Sequence, residues 1–197
     1  MQQERIIKEL QLRIALYEDV KAYSELYLLL FNGLHRFSYS VVRSREAAEE
    51  IVSDAFIKLW QVRGGLEKVD NLKVYLYVIT KNLSLNYHAR TAKKQLVQLD
   101  QIDVETIIEV KSPEDIYISN EIINKVRQAV CQLPPQCRII FQLVKEDGLK
   151  YKEVAGILNL SVLTVRNQLA IAIKKISEAL PLQYRSLLHF HDRFSTS

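Results

Sequence analysis

The chain has 197 residues, with 27 Lys and Arg against 23 Asp and Glu, a formal net charge of +4 and 48% apolar side chains. That content can bury one or two cores, and the mild positive charge is compatible with a polyanionic partner without proving one. The longest purely apolar stretches, Leu26–Phe31 and Val74–Ile79, are far too short to cross a bilayer, and no basic leader with a following apolar run opens the sequence, so a soluble, cytoplasmic protein is expected. Five glycines and four prolines, nearly all between apolar-periodic runs, favour an all-α fold.

In chain order, Glu4–Leu16 reads as a short amphipathic helix carrying Ile6, Ile7, Leu10 and Ile14. Asp19–Arg43 is apolar and aromatic-rich, and Asn32-Gly33 predicts a break into two helices. Ser44 is an N-cap for the helix Glu46–Val62, whose Ala48, Ile51, Val52, Ala55, Phe56 and Leu59 share one broad face; Gly64-Gly65 is expected to end it. Asn71 caps a further helix reaching about Lys94, with Leu72, Leu76, Ile79 and Leu83 at apolar spacing. From Leu96 to Glu121 seven acids face one base, Lys111, with Pro113 among them, which predicts a flexible acidic linker. Ser119 opens a helix to about Leu133, Pro134-Pro135 turns the chain, and another helix runs to Glu146 before the Asp147-Gly148 stop.

The segment Lys150–Ile176 is the strongest local signal. Val154, Ala155 and Leu158 recur at helical spacing in Tyr151–Leu158, Asn159 supplies a residue that tolerates positive φ, and Ser161 caps a second helix with Val162, Val165, Leu169, Ala172, Ile173 and Ile176 on one face. A turn residue, a small residue and two stripes in register describe a helix-turn-helix, the unit that lays its second helix in the DNA major groove. The expected architecture is therefore all-α, two small helical domains (1–95 and 119–181) joined by a linker (96–118) and followed by a tail (182–197), the second domain containing the helix-turn-helix.

Charge is distributed in the same pattern. Arg63–Gln95 holds seven bases against two acids and Lys125–Arg185 ten against four, so two basic bodies flank an acidic segment expected to shield a basic face in the absence of DNA. In Asn71–Lys94, Tyr75, Tyr77, Asn82, Asn86, Tyr87 and Arg90 are interleaved with Lys73 and Lys81, a mixture suited to stacking unpaired bases and neutralising a single-strand backbone. On the helix Glu46–Val62, the polar side carries Glu50, Ser53 and Asp54 with Ile57 among them, an apolar centre with an acidic rim that suits a protein partner. No GxxxxGK[ST], GxGxxG, HExxH or GxSxG occurs, the four histidines are scattered, and Cys131 and Cys137 have no Cys or His cluster around them. The expectation is a binding protein rather than an enzyme, with no metal, no cofactor and two free thiols.

Four segments, EEIVSDAFIKLW, NLKVYLYVITKNLSLNYHAR, LPPQCRIIFQLVKEDGLKYKEVAGIL and LSVLTVRNQLAIAIKKI, resemble in order those of bacterial RNA polymerase sigma factors of the sigma-70 family, extracytoplasmic-function (ECF) group. The resemblance covers roughly Asp19–Leu180 and is weakest in the linker. It implies a subunit that binds core RNA polymerase and directs promoter-specific initiation. Glu50, Ser53, Asp54 and Ile57 would meet the β′ clamp helices. The helix 71–94 and the loop before it would melt and hold the −10 element through Lys73, Tyr77, Lys81, Asn82, Asn86, Tyr87 and Arg90. Leu163, Thr164, Arg166, Asn167, Ala170 and Lys174 would read the −35 element, the same domain touching the β flap, and an anti-sigma factor is the implied regulator. Where the family often has Gly and Arg, this chain has Asn159 and Ile171, the second change removing a DNA contact. The alternative reading is a dimeric helix-turn-helix regulator that binds an operator without joining the polymerase.

Overall fold

A computed structural model of the chain describes residues 2–94 and 120–181; the expected linker, the Ser119 helix start and the tail lie outside the described residues. The chain divides into two compact units, Met1–Leu99 and Asp100–Ser197, and among the described residues all regular structure is helical.

The first unit contains α1 (Gln2–Tyr17), α2 (Val20–Val42), α3 (Arg45–Gln61) and α4 (Leu72–Lys94). The break expected at Asn32-Gly33 does not occur, and α2 runs through both residues. Leu26, Leu30, Leu34 and Phe37 keep one buried stripe across the site, so burial against α1, α3 and α4 outweighs the roughly 1 kcal/mol that a helical Gly costs. The starts of α2 and α3 are side-chain capped. Asp19 Oδ1 accepts from the amides of Lys21 (2.9 Å) and Ala22 (3.1 Å), and Ser44 Oγ from Ala47 N at 3.2 Å. The amide of Ala22 and the Arg13 guanidinium, 2.8 Å away, hold the Asp19 carboxyl below the usual carboxylate range.

α3 ends where Gly64-Gly65 led one to expect, although the chain after it is not extended. α3 stops at Gln61, and the chain tightens into a 3-10 helix, Arg63–Lys68, that passes through both glycines. Tyr23 and Tyr27 pack edge-on against Phe56, at 5.9 and 4.9 Å between ring centroids, and Trp60 packs edge-on against Tyr23 at 5.1 Å. Asn71 Oδ1 accepts from Val74 N at 3.1 Å and opens α4. The inward side of α4 is more polar than apolar periodicity implies. Leu72, Leu76 and Tyr77 are buried, but so are Thr80 and Ser84, and Ser84 Oγ lies 3.0 Å from Ser38 Oγ of α2.

The second unit contains α5 (Asn120–Cys131), α6 (Pro135–Phe141), α7 (Tyr151–Leu158) and α8 (Val162–Ala179), with a π-helical turn, Gln142–Glu146, continuing α6. Pro134-Pro135 makes the turn after α5, Pro135 standing in the first turn of α6. Arg138 donates back to the carbonyls of Cys131 and Leu133, placing a cation at the C-terminus of α5. Gly148 at φ +68° completes the stop after Glu146, and the Leu149 amide donates to Leu143 O at 2.9 Å. Helices α5, α6 and α7 all pack on α8, whose Val165, Leu169, Ala172, Ile173 and Ile176 are buried. Cys137 donates its thiol to Gln168 Oε1 of α8 at 2.8 Å, and burial pushes that thiol's pKa up.

Candidate nucleic-acid interface

The helix-turn-helix is built by three local devices. Lys150 N donates to Glu153 Oε2 at 2.7 Å and starts α7. Asn159 adopts φ 55°, ψ 47°, and the amide of Leu160 donates to Ala155 O at 2.9 Å, which closes α7 as a left-handed C-cap does. Ser161 Oγ accepts from Thr164 N at 2.9 Å and starts α8. The chain turns through 106° between the two helices, within the range of this motif. Within α7 it is Val154, Ala155 and Ile157 that are buried, while Leu158 is half-buried.

With the inward stripe fixed, the outward residues of α8 follow from the helical period. Leu163, Arg166, Asn167, Ala170 and Lys174 are all exposed. Thr164 is half-buried, and its hydroxyl lies 2.8 Å from Ser161 Oγ, so the N-cap engages part of its hydrogen-bonding capacity. Arg166, Ala170 and Lys174 stand on one edge of an open groove of about 360 Å³, floored by Leu169 and Ile173, with Tyr151 of α7 contributing to its lining. Lys174 meets Glu178 at 4.0 Å with both side chains well exposed, a pair too solvated to hold the ammonium from a phosphate. Ile171 is 43% exposed, an apolar side chain on the outer surface.

On α3, Glu50, Ser53, Asp54 and Ile57 follow at i, i+3, i+4 and i+7 and form one stripe opposite the buried face. Glu50 and Asp54 are exposed, Ser53 is half-buried, and Ile57 is 52% exposed.

The residues named on α4 divide. Asn82, Asn86 and Arg90, four apart, form an exposed row, with Lys81 half-buried on its flank. Tyr77 must be corrected. It is 1% exposed, and its ring packs edge-on against Phe37 at 5.5 Å, so it belongs to the core and presents no surface to DNA. Lys73 and Tyr87 fall on the same inward half by helical angle, and both are half-buried. Leu85, not anticipated, is 53% exposed beside Asn82 and Asn86. Gln11 was also missed. It occupies a core position of α1 at 1% exposure, and its Nε2 donates to Leu66 O and Val69 O in the loop before α4. Its signal was present, a polar residue inside the stripe of Ile7, Leu10 and Ile14.

Two family models match the chain, "Sigma-70 region 2" over residues 26–94 and "Sigma-70, region 4" over residues 123–176. The ECF RNA polymerase sigma-E factor of Escherichia coli is 28% identical over 160 residues, covering 77% of this chain and 82% of that protein. The chain belongs to the ECF group of the sigma-70 family. Another sigma-70 relative, the RNA polymerase sigma-H factor of Pseudomonas aeruginosa, is 27% identical over 163 residues, covering 78% and 84% of the two chains. The fold is shared with the sigma factor RpoE of Bartonella quintana, solved with the anti-sigma factor NepR (TM-score 0.55, 21% identity, 82% of this chain and 98% of that one). It is also shared with CnrH, solved with the cytosolic domain of CnrY (TM-score 0.56, 18% identity, 88% and 96%). In this sigma-70 chain the helix-turn-helix lies in the region 4 match, and both α3 and α4 lie in the region 2 match.

Among the described residues no group of three or more His, Cys, Asp and Glu could hold a metal ion, and no single helix is long and apolar enough to cross a membrane.

Proposed function

We propose that this sigma factor works as a cytoplasmic, non-enzymatic subunit of RNA polymerase, with residues 1–95 binding core enzyme and opening the −10 element and residues 119–181 reading the −35 element. The observation that carries the reading is that a capped helix-turn-helix with an exposed Arg166-Asn167 pair and a separate exposed Asn82, Asn86, Arg90 row occur in one chain, in region order. Arg presents paired donors and Asn a donor beside an acceptor, both suited to base edges in the major groove, and Lys174 supplies a point charge for a phosphate. The α4 row offers amides and a guanidinium to bases already separated, with Lys81 at the backbone. The α3 stripe around Ile57 fits the β′ clamp, and the second unit would also meet the β flap. One structural relative, RpoE, is solved with the anti-sigma factor NepR, which supports an anti-sigma factor for this chain as well.

The test is run-off transcription with core polymerase on a genomic library. Promoter-specific transcripts that require both the chain and core enzyme are expected, and Ser53 and Asp54 variants should initiate poorly. A chain that footprints a palindromic operator alone and yields no transcript with core polymerase would instead be a dimeric regulator.

A further inference from the structure

The segment that joins α3 to α4 is tied to the end of α3 through Arg63, which donates to Trp60 O at 3.0 Å and lies over the Trp60 ring at 4.8 Å. Gly64 and Gly65 are exposed, and a methyl group at either would meet nothing within 4 Å. Leu66, 1% exposed, is the segment's buried plug. Further holds come from the N-terminal end of the chain. Gln11 Nε2 of α1 donates to Leu66 O at 2.5 Å and to Val69 O at 2.7 Å, Lys8 Nζ reaches Val69 O at 3.4 Å, and Glu18 pairs with Arg63 at 3.0 Å. Residues 8–18 precede the region 2 match, which begins at residue 26.

The choice of glutamine is informative. Its neighbours on the stripe are Ile7, Leu10 and Ile14, all buried, so an apolar residue of the same length would fill the position without an amide to satisfy. Only the amide nitrogen can donate to two carbonyls at once, so the orientation follows from the chemistry of the partners. Each carbonyl has one other donor, Val69 N for Leu66 O at 3.0 Å and the exposed Lys8 for Val69 O at 3.4 Å, so Gln11 is the buried side chain that ties the two together. Val69 stands two residues before Asn71, the cap that starts α4.

We propose that Gln11 is a positioning residue for promoter opening, using α1 as a strap that fixes the loop 63–70, and through it the start of α4, against the separating strands. This rests on the reading of that loop and α4 as the strand-holding region. A rigid loop is in place when the first base leaves the stack, whereas a loose one must be ordered at that moment.

The experiment uses the full chain with core polymerase and the variant Gln11→Met, which keeps side-chain length and loses both donors, with Gln11→Asn, which keeps the amide but shortens its reach, as a second. Two templates are compared, a fully paired promoter and the same promoter with its −10 region already unpaired by mismatch. Gln11→Met should lower the rate of opening on the paired template, read by permanganate reactivity of −10 thymines, by about tenfold and leave initiation on the mismatched template within about twofold of the parent chain. Gln11→Asn should behave in the same way. An equal fall on both templates would show a merely structural role and overturn the proposal, as would no fall on either. Failure of the parent chain to initiate on both templates would instead refute the sigma reading itself.

Discussion

Replacing Ile57 by Ala tests whether the α3 stripe is a protein interface. Ile57 is 52% exposed, and fully burying an Ile side chain contributes about 1.5–3 kcal/mol, so a partner that covers its exposed half gains about 0.8–1.5 kcal/mol. Truncation removes most of that, which raises the Kd for core polymerase roughly 4- to 12-fold. Because the side chain is outside the core, the variant's thermal midpoint should match the parent's, the change staying within about 0.5 kcal/mol. Competition binding with labelled core enzyme measures the Kd, and a thermal melt checks the fold. Leu163→Ala, at 63% exposure in the second unit, is the control and should leave core affinity unchanged. An unchanged Kd for Ile57→Ala, or an equal loss for Leu163→Ala, refutes the assignment of this face.

Arg166→Ala should cost about 1–3 kcal/mol of discrimination at one or two base pairs of the −35 element, measured by binding to a library of single-base variants; a uniform loss over all sequences would make Arg166 a phosphate contact. Asn159→Val places a β-branched residue at φ 55° and should destabilise the second unit by about 1–2 kcal/mol, whereas Asn159→Gly should melt at or slightly above the parent temperature. Asp19→Asn keeps the N-cap and loses the charge paired with Arg13. The folded-state pKa of Asp19 lies below its ordinary value, so its contribution is fully present above the ordinary carboxylate range and lost as pH falls through the lowered value. The gap in melting temperature between parent and variant should therefore be widest near neutrality and close in acid, and a gap independent of pH would contradict the ion pair.

The helix-turn-helix was legible because several local signals agree there. Asn159 at the turn, Ser161 at the cap and Val165, Leu169, Ala172 and Ile176 on the inner stripe each specify the same geometry without help from distant residues. The first unit was less legible where tertiary packing overrides local preference. Asn32-Gly33 carries a turn signal, but the stripe on either side of it is in phase, and three helices bury that stripe. In α4, apolar periodicity assigns Tyr77 no definite side, since a tyrosine serves equally as core or as stacking platform. The buried face of α4 takes in Tyr77, Thr80 and Ser84, the last paired with Ser38, and is more polar than an apolar stripe announces. On α3 the spacing of 50, 53, 54 and 57 alone placed all four residues on one surface. Gln11 is marked in the sequence only as a polar residue on an apolar stripe, and its role is not, because its partners are backbone carbonyls more than fifty residues away that carry no side-chain signal.

The unbroken course of α2 makes its length a strict quantity. One residue added after Asn32 would swing everything beyond it by about 100° around the helix axis. Phe37 would leave the Tyr77 ring and Ser38 would leave Ser84 in the same stroke, so these two ties to α4 would go together. The row of Asn82, Asn86 and Arg90 rides on α4, so its aim is set by the residue count of a neighbouring rod that itself presents none of these side chains.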